Sequence, residues 1–187
     1  GIIRTGPPNA TEHAMSSPDP TALLFEAVSF AARAHRHQVR KDGQTPYAAH
    51  VFRVCLVVRH VFGIDDPQVL TAALLHDTIE DTPTDADDLA ERFGPDVARW
   101  AAALTKDMRL LEDEREAAYR ATLAAAPWQV VVCKLADVYD NLSDSVHMPA
   151  DKRARTVRRS AEYLDALRPT LPPEAAAAFA VVERKLA

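Results

Sequence analysis

The sequence predicts an all-α protein, and three observations lead to that fold class. Apolar residues recur three and four positions apart over most of the chain, as they do on the buried face of a helix. Asp, Thr or Pro residues stand where these patterns begin, and Gly or Pro residues follow where they end. Neither a hairpin turn signal nor an internal repeat accompanies them, so a β-rich or repeat architecture is not indicated.

Length and composition fit one folded domain. The chain has 187 residues, of which 48% are hydrophobic and 26% are charged, the balance of a folded protein rather than a disordered one. We expect residues 1–19, which are rich in Pro, Ser and Thr, to form a disordered leader, and residues 20–187 to form a single domain. Met15 is a candidate native start, in which case residues 1–14 would not belong to the natural protein.

Charge and hydropathy exclude several classes of partner. The net charge of −5 argues against a duplex-binding protein, which needs a basic surface. No apolar run approaches the roughly 20 residues of a membrane-spanning helix, and no secretory signal is evident, so we expect neither nucleic acid nor membrane as a partner. Cys55 and Cys133 lie in apolar stretches, which indicates reduced thiols in a cytoplasmic protein. The sequence leaves a homo-oligomer open. Five glycines are too few for a Gly-rich phosphate loop.

The first part of the domain is predicted to hold three helices. The first covers residues 19–37 and opens with an Asp-Pro pair, a good N-cap and first turn. The segment 40–46 contains Gly and Pro and is a loop. The second helix covers residues 47–62 and ends at a glycine. The third covers residues 67–80 and is apolar on nearly all sides until its C-terminal end, so we expect it to be central and buried.

Three further helices are predicted in the middle of the chain. Thr84 is expected to cap a short acidic helix that ends at Phe93. A Gly-Pro pair then starts a helix over residues 95–105. A longer charged helix covers residues 110–126, and Pro127 ends it.

The last part of the chain is predicted to hold a core helix, a basic helix and an Ala-rich helix. Residues 128–145 form the core helix, although Val130–Val132 alone could also be read as a strand. The basic amphipathic helix covers residues 150–168 and ends at a group of prolines, and the Ala-rich helix closes the chain.

Polar residues at the C-terminal end of the third helix need an explanation. His76 and Glu80 lie four positions apart and share a helix face, as do Asp77 and Asp81. Burial of unpaired carboxylates is costly, so a cation is the natural compensation.

Two other core helices supply similar groups. His50 lies in the first turn of the second helix, and Asp137 lies among apolar residues of the core helix. With His76 and Asp77 they offer two nitrogens and two oxygens, a mixed set that suits Mn²⁺, Fe²⁺ or Zn²⁺. The stripe of polar residues on the core helix is Lys134, Asp137 and Asn141.

On these residues the chain resembles the HD-domain metal-dependent phosphohydrolase superfamily. More narrowly, four segments resemble the hydrolase domain of RelA/SpoT-type alarmone enzymes, and the likeness runs from about residue 22 to 168. The segments are His35–His50, Ala72–Thr82, Phe93–Gly94 and Lys134–Leu142. The chain has no room for a synthetase domain, so it is similar to a stand-alone small alarmone hydrolase.

The resemblance implies a compact HD-type helical bundle with a metal site in a central cleft. It implies hydrolysis of guanosine 3′,5′-bis(diphosphate) or its pentaphosphate, (p)ppGpp, to GDP or GTP and pyrophosphate with one Mn²⁺ ion. By resemblance the metal ligands are His50, His76, Asp77 and Asp137, and the catalytic acidic pair is Glu80 and Asp81. The implied substrate-binding residues are Arg40, Lys41, Lys134 and Asn141. The planar guanidinium of Arg40 is also suited to stacking on guanine.

The chain departs from the family pattern at three positions. Val51 stands where a Pro commonly follows the first His, Ser143 where an Arg is usual, and Asp140 where His or Tyr is common. The expected metal ligands are untouched, but these positions are expected to lie on the substrate side, and Ser143 and Asp140 bear on substrate choice. Another nucleotide substrate therefore remains an alternative, as does a non-catalytic nucleotide-binding module.

Several residues have a second interpretation. Arg40 and Lys41 can be ordinary loop charges, and Lys134 can be an ion-pair partner of Asp137 instead of a substrate contact. The basic run 152–159 is a candidate nucleic-acid-binding segment, but a solvated helix face explains it better. In a third interpretation, one or two of its arginines bind the phosphates of the substrate. Tyr163 is a further candidate for the cleft. Four other histidines, His35, His37, His60 and His147, are expected to be surface or packing residues.

Overall fold

The computed structural model describes residues 19–187 and confirms the all-α fold class. Within that range there is no strand, only an isolated antiparallel bridge between Val39 and Pro46. The helices are α1 (Pro20–Ala34), α2 (Ala48–Leu56), α3 (Pro67–Leu75), α4 (Thr78–Asp81), α5 (Ala86–Phe93), α6 (Pro95–Ala103), α7 (Glu112–Ala124), α8 (Trp128–Ser145), α9 (Ala150–Leu167) and α10 (Ala176–Leu186). The leader predicted for residues 1–19 lies outside the described residues, apart from Asp19.

Most predicted helices are found within a few residues of their expected ends. Asp19 caps α1 by accepting a hydrogen bond from the Thr21 amide, as the Asp-Pro pair predicts. A π-helical turn, Val57–Val61, continues α2 to the left-handed Gly63. The segment Val130–Val132 is helical, because it lies inside the long α8.

The predicted third helix is divided, and the division falls at the His-Asp pair. The α3 helix ends at Leu75 and α4 begins at Thr78. Asp77 has φ −99° and ψ 0°, outside the usual helical well. The ring of His76 replaces a backbone donor at the break, since its Nδ1 lies 2.8 Å from the carbonyl oxygen of Ala73.

The N-cap predicted at Thr84 is wrong by one residue. The Asp85 side chain accepts a hydrogen bond from the Asp88 amide, and the Asp88 side chain accepts one from the Asp85 amide. This reciprocal pair, a capping box, satisfies two exposed amides at once. A threonine at position 84 offers no such exchange, and its amide instead bonds the Thr82 hydroxyl.

The core is built around α3 and α8. Residues 69–75 of α3 and residues 130–138 of α8 are all buried. The α3 helix packs against α1, α2 and α6, while α8 packs against α2, α9 and α10. Both helices therefore bring their polar residues into the interior, which is how the fold positions the site. In residues 19–187 no helix combines the length and the apolar character that crossing a bilayer requires.

We expect Leu135→Ala to lower the free energy of unfolding by about 2–5 kcal/mol. Leu135 is fully buried on α8, and its removal leaves a cavity beside the segment that carries Asp137. Urea denaturation followed by circular dichroism measures the change. The matched control is Leu111→Ala, because that side chain is 75% exposed and should change stability by less than about 0.5 kcal/mol. Equal effects of the two changes would contradict the described packing of α8.

Candidate metal centre and its cleft

The structure brings the four predicted metal ligands together. The Nε2 atom of His50, on α2, lies 3.4 Å from Asp77 Oδ2 and 3.3 Å from Asp137 Oδ1. The Nε2 atom of His76 lies 3.0 Å and 3.9 Å from the same two oxygens. One ligand atom from each of His50, His76 and Asp137 lies within 4.8 Å of the others, which makes these three a candidate metal site.

The donor set fits a divalent cation. The Nε2 atom of His76 is buried and makes no hydrogen bond, although a carboxylate oxygen lies nearby. A buried polar atom without a partner is costly, and a cation would satisfy it. Two imidazoles and two carboxylates, with no thiolate, are ligands that suit Mn²⁺, Fe²⁺ or Zn²⁺.

The pKa values of these groups reflect the same crowding. Burial disfavours the charged imidazolium of His50, but hydrogen bonds to Asp137, Asp140 and Asp77 outweigh it and raise the pKa of His50 to about 10. Burial opposes ionisation of Asp137 as well, yet Lys134 and the imidazoles hold the pKa of that carboxyl well below its usual range. The cluster therefore favours positive charge at its centre, as a cation site must.

Each imidazole is fixed through its other ring nitrogen. The Nδ1 atom of His50 lies 2.7 Å from Asp140 Oδ2, and the Nδ1 atom of His76 lies 2.8 Å from the carbonyl oxygen of Ala73. Both partners are acceptors, so each Nδ1 donates and each Nε2 is left for a metal.

The two carboxylates are also held in place. The hydroxyl of Tyr47 donates to Asp77 Oδ2 over 2.5 Å. The ammonium group of Lys134 donates to Asp137 Oδ2 over 2.8 Å, and the Asn141 amide donates to Asp137 Oδ1 over 2.5 Å. The ion pair suggested by the spacing of Lys134 and Asp137 is therefore present.

The cluster opens into a cleft of about 250 Å³. All four predicted ligands and both predicted catalytic acids line it, and so do three of the predicted substrate-binding residues: Lys41, Lys134 and Asn141. The amide of Lys106 donates to Glu80 Oε2 over 2.7 Å. Burial raises the pKa of Glu80, and burial together with the nearby Asp77 raises the pKa of Asp81.

Arg40 is not among the residues that line the cleft. Its guanidinium donates to Asp144 Oδ2 over 2.9 Å and to Asn141 Oδ1 over 3.0 Å. It is buried and faces a smaller neighbouring cavity with Arg53 and Lys152. The structure therefore gives this residue partners within the chain, and its substrate role stays a prediction.

Sequence reasoning gave no role to several residues of the cleft. Lys106 and Tyr119 line it without having been singled out, because neither belongs to a polar pattern on a core helix. Tyr47 lies inside the segment His35–His50, but only its hydrogen bond to Asp77 indicates that it orients this carboxylate. The arginines at 155 and 159 and Tyr163, named only as alternatives, also line the cleft.

Two tyrosine rings of the cleft contact its lysine ammonium groups. The ammonium of Lys134 lies 4.1 Å from the ring centroid of Tyr163, and that of Lys106 lies 5.3 Å from the ring centroid of Tyr119. Glu116 accepts a hydrogen bond from the Tyr163 hydroxyl over 2.7 Å and pairs with Lys106 over 3.2 Å. These contacts hold the cations at the cleft without a Gly-rich loop.

Two named proteins are similar to this chain in sequence. A protein of Danio rerio named guanosine-3′,5′-bis(diphosphate) 3′-pyrophosphohydrolase MESH1 is 44% identical over 128 residues, which are 66% of this chain and 69% of that protein. The bifunctional (p)ppGpp synthase/hydrolase SpoT of Escherichia coli is 33% identical over 155 residues, which are 80% of this chain and 22% of that protein.

A solved structure is similar over most of the chain. It is described as a metazoan ortholog of SpoT that hydrolyses ppGpp, and it matches with a TM-score of 0.77 and 31% identity, over 90% of this chain and 98% of that one. The HD domain family model matches residues 27–165. This range contains the whole candidate metal centre, and the chain belongs to the HD domain family.

Proposed function

We propose that this chain hydrolyses (p)ppGpp to GDP or GTP and pyrophosphate. The observation that carries the proposal is the cluster of His50, His76, Asp77 and Asp137, with two further carboxylates beside it in one cleft. The activity named for the relative at 44% identity supports the choice of substrate. The reaction breaks the bond between the ribose 3′ oxygen and phosphorus, and water supplies the oxygen that pyrophosphate gains.

We further propose that the four clustered residues hold one divalent ion, Mn²⁺. Such an ion supplies Lewis acidity, which makes water a better nucleophile and phosphorus a better electrophile at neutral pH. The fold directs both Nε2 atoms and two carboxylates to one point. That preorganisation lowers the cost of ordering the site in the transition state.

Glu80 and Asp81 are proposed to orient the attacking water and accept its proton. Both carboxylates line the cleft, and the Lys106 amide fixes one oxygen of Glu80. Burial raises the pKa of each group toward the range in which a carboxylate is a useful base. The proton taken from water can then be returned to solvent or to the departing 3′ oxygen.

The cationic residues of the cleft are proposed to bind the phosphates. Lys41 and Arg155 line the cleft and make no ion pair with any residue in 19–187. Burial lowers the pKa of Lys41, and nearby Arg40 lowers it further. A polyanionic substrate would give the ammonium group of Lys41 an anionic partner.

Hydrolysis of a different nucleotide is a second candidate, favoured by one observation. The guanidinium of Arg40, a candidate for stacking on guanine, is engaged by Asp144 and Asn141. A panel of nucleotides decides between the candidates. A kcat/KM for ppGpp well below that for a rival nucleotide would favour the second, and tight nucleotide binding without turnover under any divalent metal would favour a non-catalytic module.

We expect the purified chain to release GDP and pyrophosphate from ppGpp when Mn²⁺ is present, and the His76→Ala variant to lose both turnover and metal binding. His76 is buried at the cluster and has an Nε2 atom without a hydrogen bond. Product chromatography and calorimetric titration with MnCl₂ measure the two properties, and a circular dichroism melt checks folding. Absence of product from the wild-type chain would overturn the proposal.

Glu80→Gln is expected to keep metal affinity and lower kcat by about 10²–10⁴, the usual contribution of a general base. The amide side chain has the same shape and can still accept the Lys106 hydrogen bond, so only the basic group is removed. Steady-state release of GDP measures kcat. Glu114→Gln, an exposed change on α7, is the control and should leave kcat unaltered. Full kcat in Glu80→Gln would show that its carboxylate is not the base.

Lys41→Ala is expected to raise KM for ppGpp roughly tenfold or more. A hydrogen bond to a charged group contributes about 1.5–3 kcal/mol, and about 1.4 kcal/mol corresponds to a factor of ten. Initial rates over a range of substrate concentrations separate KM from kcat. Arg184→Ala removes an exposed cation of α10 and should leave KM unchanged. The same KM in Lys41→Ala and wild type would remove Lys41 from the phosphate site.

A further inference from the structure

His50 makes a contact that the proposed reaction does not use. Its Nδ1 atom, which faces away from the cluster, lies 2.7 Å from Asp140 Oδ2. Both side chains are buried, with exposed fractions of 1% and 4%. Asp140 is also one of the positions at which the sequence departs from the resembled family pattern.

Asp140 is itself bound by guanidinium groups. Arg53 donates from Nε to Asp140 Oδ1 over 2.6 Å and from Nη2 to Oδ2 over 3.0 Å, a two-pronged contact. Arg40 adds a longer ion pair of 3.8 Å. The two arginines share a second carboxylate, since Arg53 lies 2.8 Å and Arg40 2.9 Å from Asp144 Oδ2. Arg53 follows His50 on α2, so the contact joins α2 to α8 behind the cluster.

The second imidazole provides an internal comparison. The Nδ1 atom of His76 meets a neutral backbone carbonyl, that of Ala73, whereas the Nδ1 atom of His50 meets a carboxylate. A carboxylate behind a metal-binding imidazole fixes the ring orientation and the tautomer, and strengthens the donor nitrogen on the other side. The two imidazoles are therefore supported to different degrees.

We propose that Asp140 is a positioning residue that directs Nε2 of His50 toward the metal site, and that Arg53 holds Asp140 in the required orientation. The inference rests on the metal-binding role proposed for His50. The carboxylate accepts a hydrogen bond from Nδ1–H, which directs Nε2 toward Asp77 and Asp137, where the proposed ion would bind. The paired arginine offsets the cost of burying that carboxylate.

The test measures Mn²⁺ affinity by calorimetric titration of metal-free protein, so that it does not depend on turnover. Asp140→Asn keeps the size of the side chain and removes its charge. We expect its Mn²⁺ affinity to fall by about 10- to 100-fold, the usual effect of removing such support. A thermal melt of each variant reports folding separately.

Asp144→Asn is the matched control. Asp144 lies four residues further along α8 and binds the same two arginines, but it does not contact His50. Its Mn²⁺ affinity should stay within about threefold of wild type, a change of less than about 1 kcal/mol. A wild-type affinity in Asp140→Asn, or equal losses in the two variants, would overturn the positioning role.

A measurement on the wild-type chain covers the case in which Asp140→Asn does not fold. In protein loaded with diamagnetic Zn²⁺, nitrogen-15 NMR should place the remaining ring proton of His50 on Nδ1, protected from exchange and hydrogen-bonded to a carboxylate. A proton on Nε2 would overturn the inference.

His50→Ala separates this inference from the metal role on which it rests. Undiminished Mn²⁺ affinity in His50→Ala would remove the proposed ligand and the positioning role together. Loss of affinity in His50→Ala, with wild-type affinity in Asp140→Asn, would remove the positioning role alone.

Discussion

Three buried or nearly buried aspartates, Asp77, Asp137 and Asp140, dominate the energetics of the site, because an isolated carboxylate in the interior is too costly to keep ionised. Each has its own compensation. Asp137 pairs with Lys134, Asp140 pairs with Arg53, and Asp77 faces two imidazoles and the Tyr47 hydroxyl. The cluster around Asp77 and Asp137 also contains the buried Nε2 atom of His76, which makes no hydrogen bond and which the proposed cation would satisfy.

The same requirement explains the local shape of the chain. A continuous helix over residues 67–81 would direct His76 and Asp77 to different faces, since neighbouring residues on a helix point about 100° apart. The break between α3 and α4 relaxes this limit at Asp77. Both side chains then reach the same carboxylate-rich space, where His76 Nε2 and Asp77 Oδ2 lie 3.0 Å apart. The irregular backbone is therefore part of the site, not a flaw in the helix.

The fold class and the positions of α1, α8 and α9 could be predicted from the sequence because they follow from apolar periodicity and from nearby Pro, Asp and Gly residues, all of which act locally. The partners of Arg40 and His50 could not. Arg40 meets Asp144 and His50 meets Asp140 across roughly 100 positions of chain. No local pattern encodes which helix lies opposite, and a loop arginine looks the same whether it awaits a ligand or is already paired.

Charge is distributed unevenly, because the chain is acidic overall while cationic side chains lie together at the cleft. The net charge is −5, yet the cleft is lined by five cationic side chains: Lys41, Lys106, Lys134, Arg155 and Arg159. Three of these are tied to carboxylates, Lys134 to Asp137 and the other two to Glu116. Such pairs fix the cations in place but also neutralise part of their charge.

Lys41 and Arg155 make no ion pair within residues 19–187, so no carboxylate neutralises their positive charge. The same cleft also carries the carboxylates of Asp77, Glu80, Asp81 and Asp137. Charges interact more strongly in a partly buried cleft than on the surface, where solvent screens them over about 10 Å. In the proposed function, side chains would do what a glycine-rich backbone loop does in other phosphate-binding proteins.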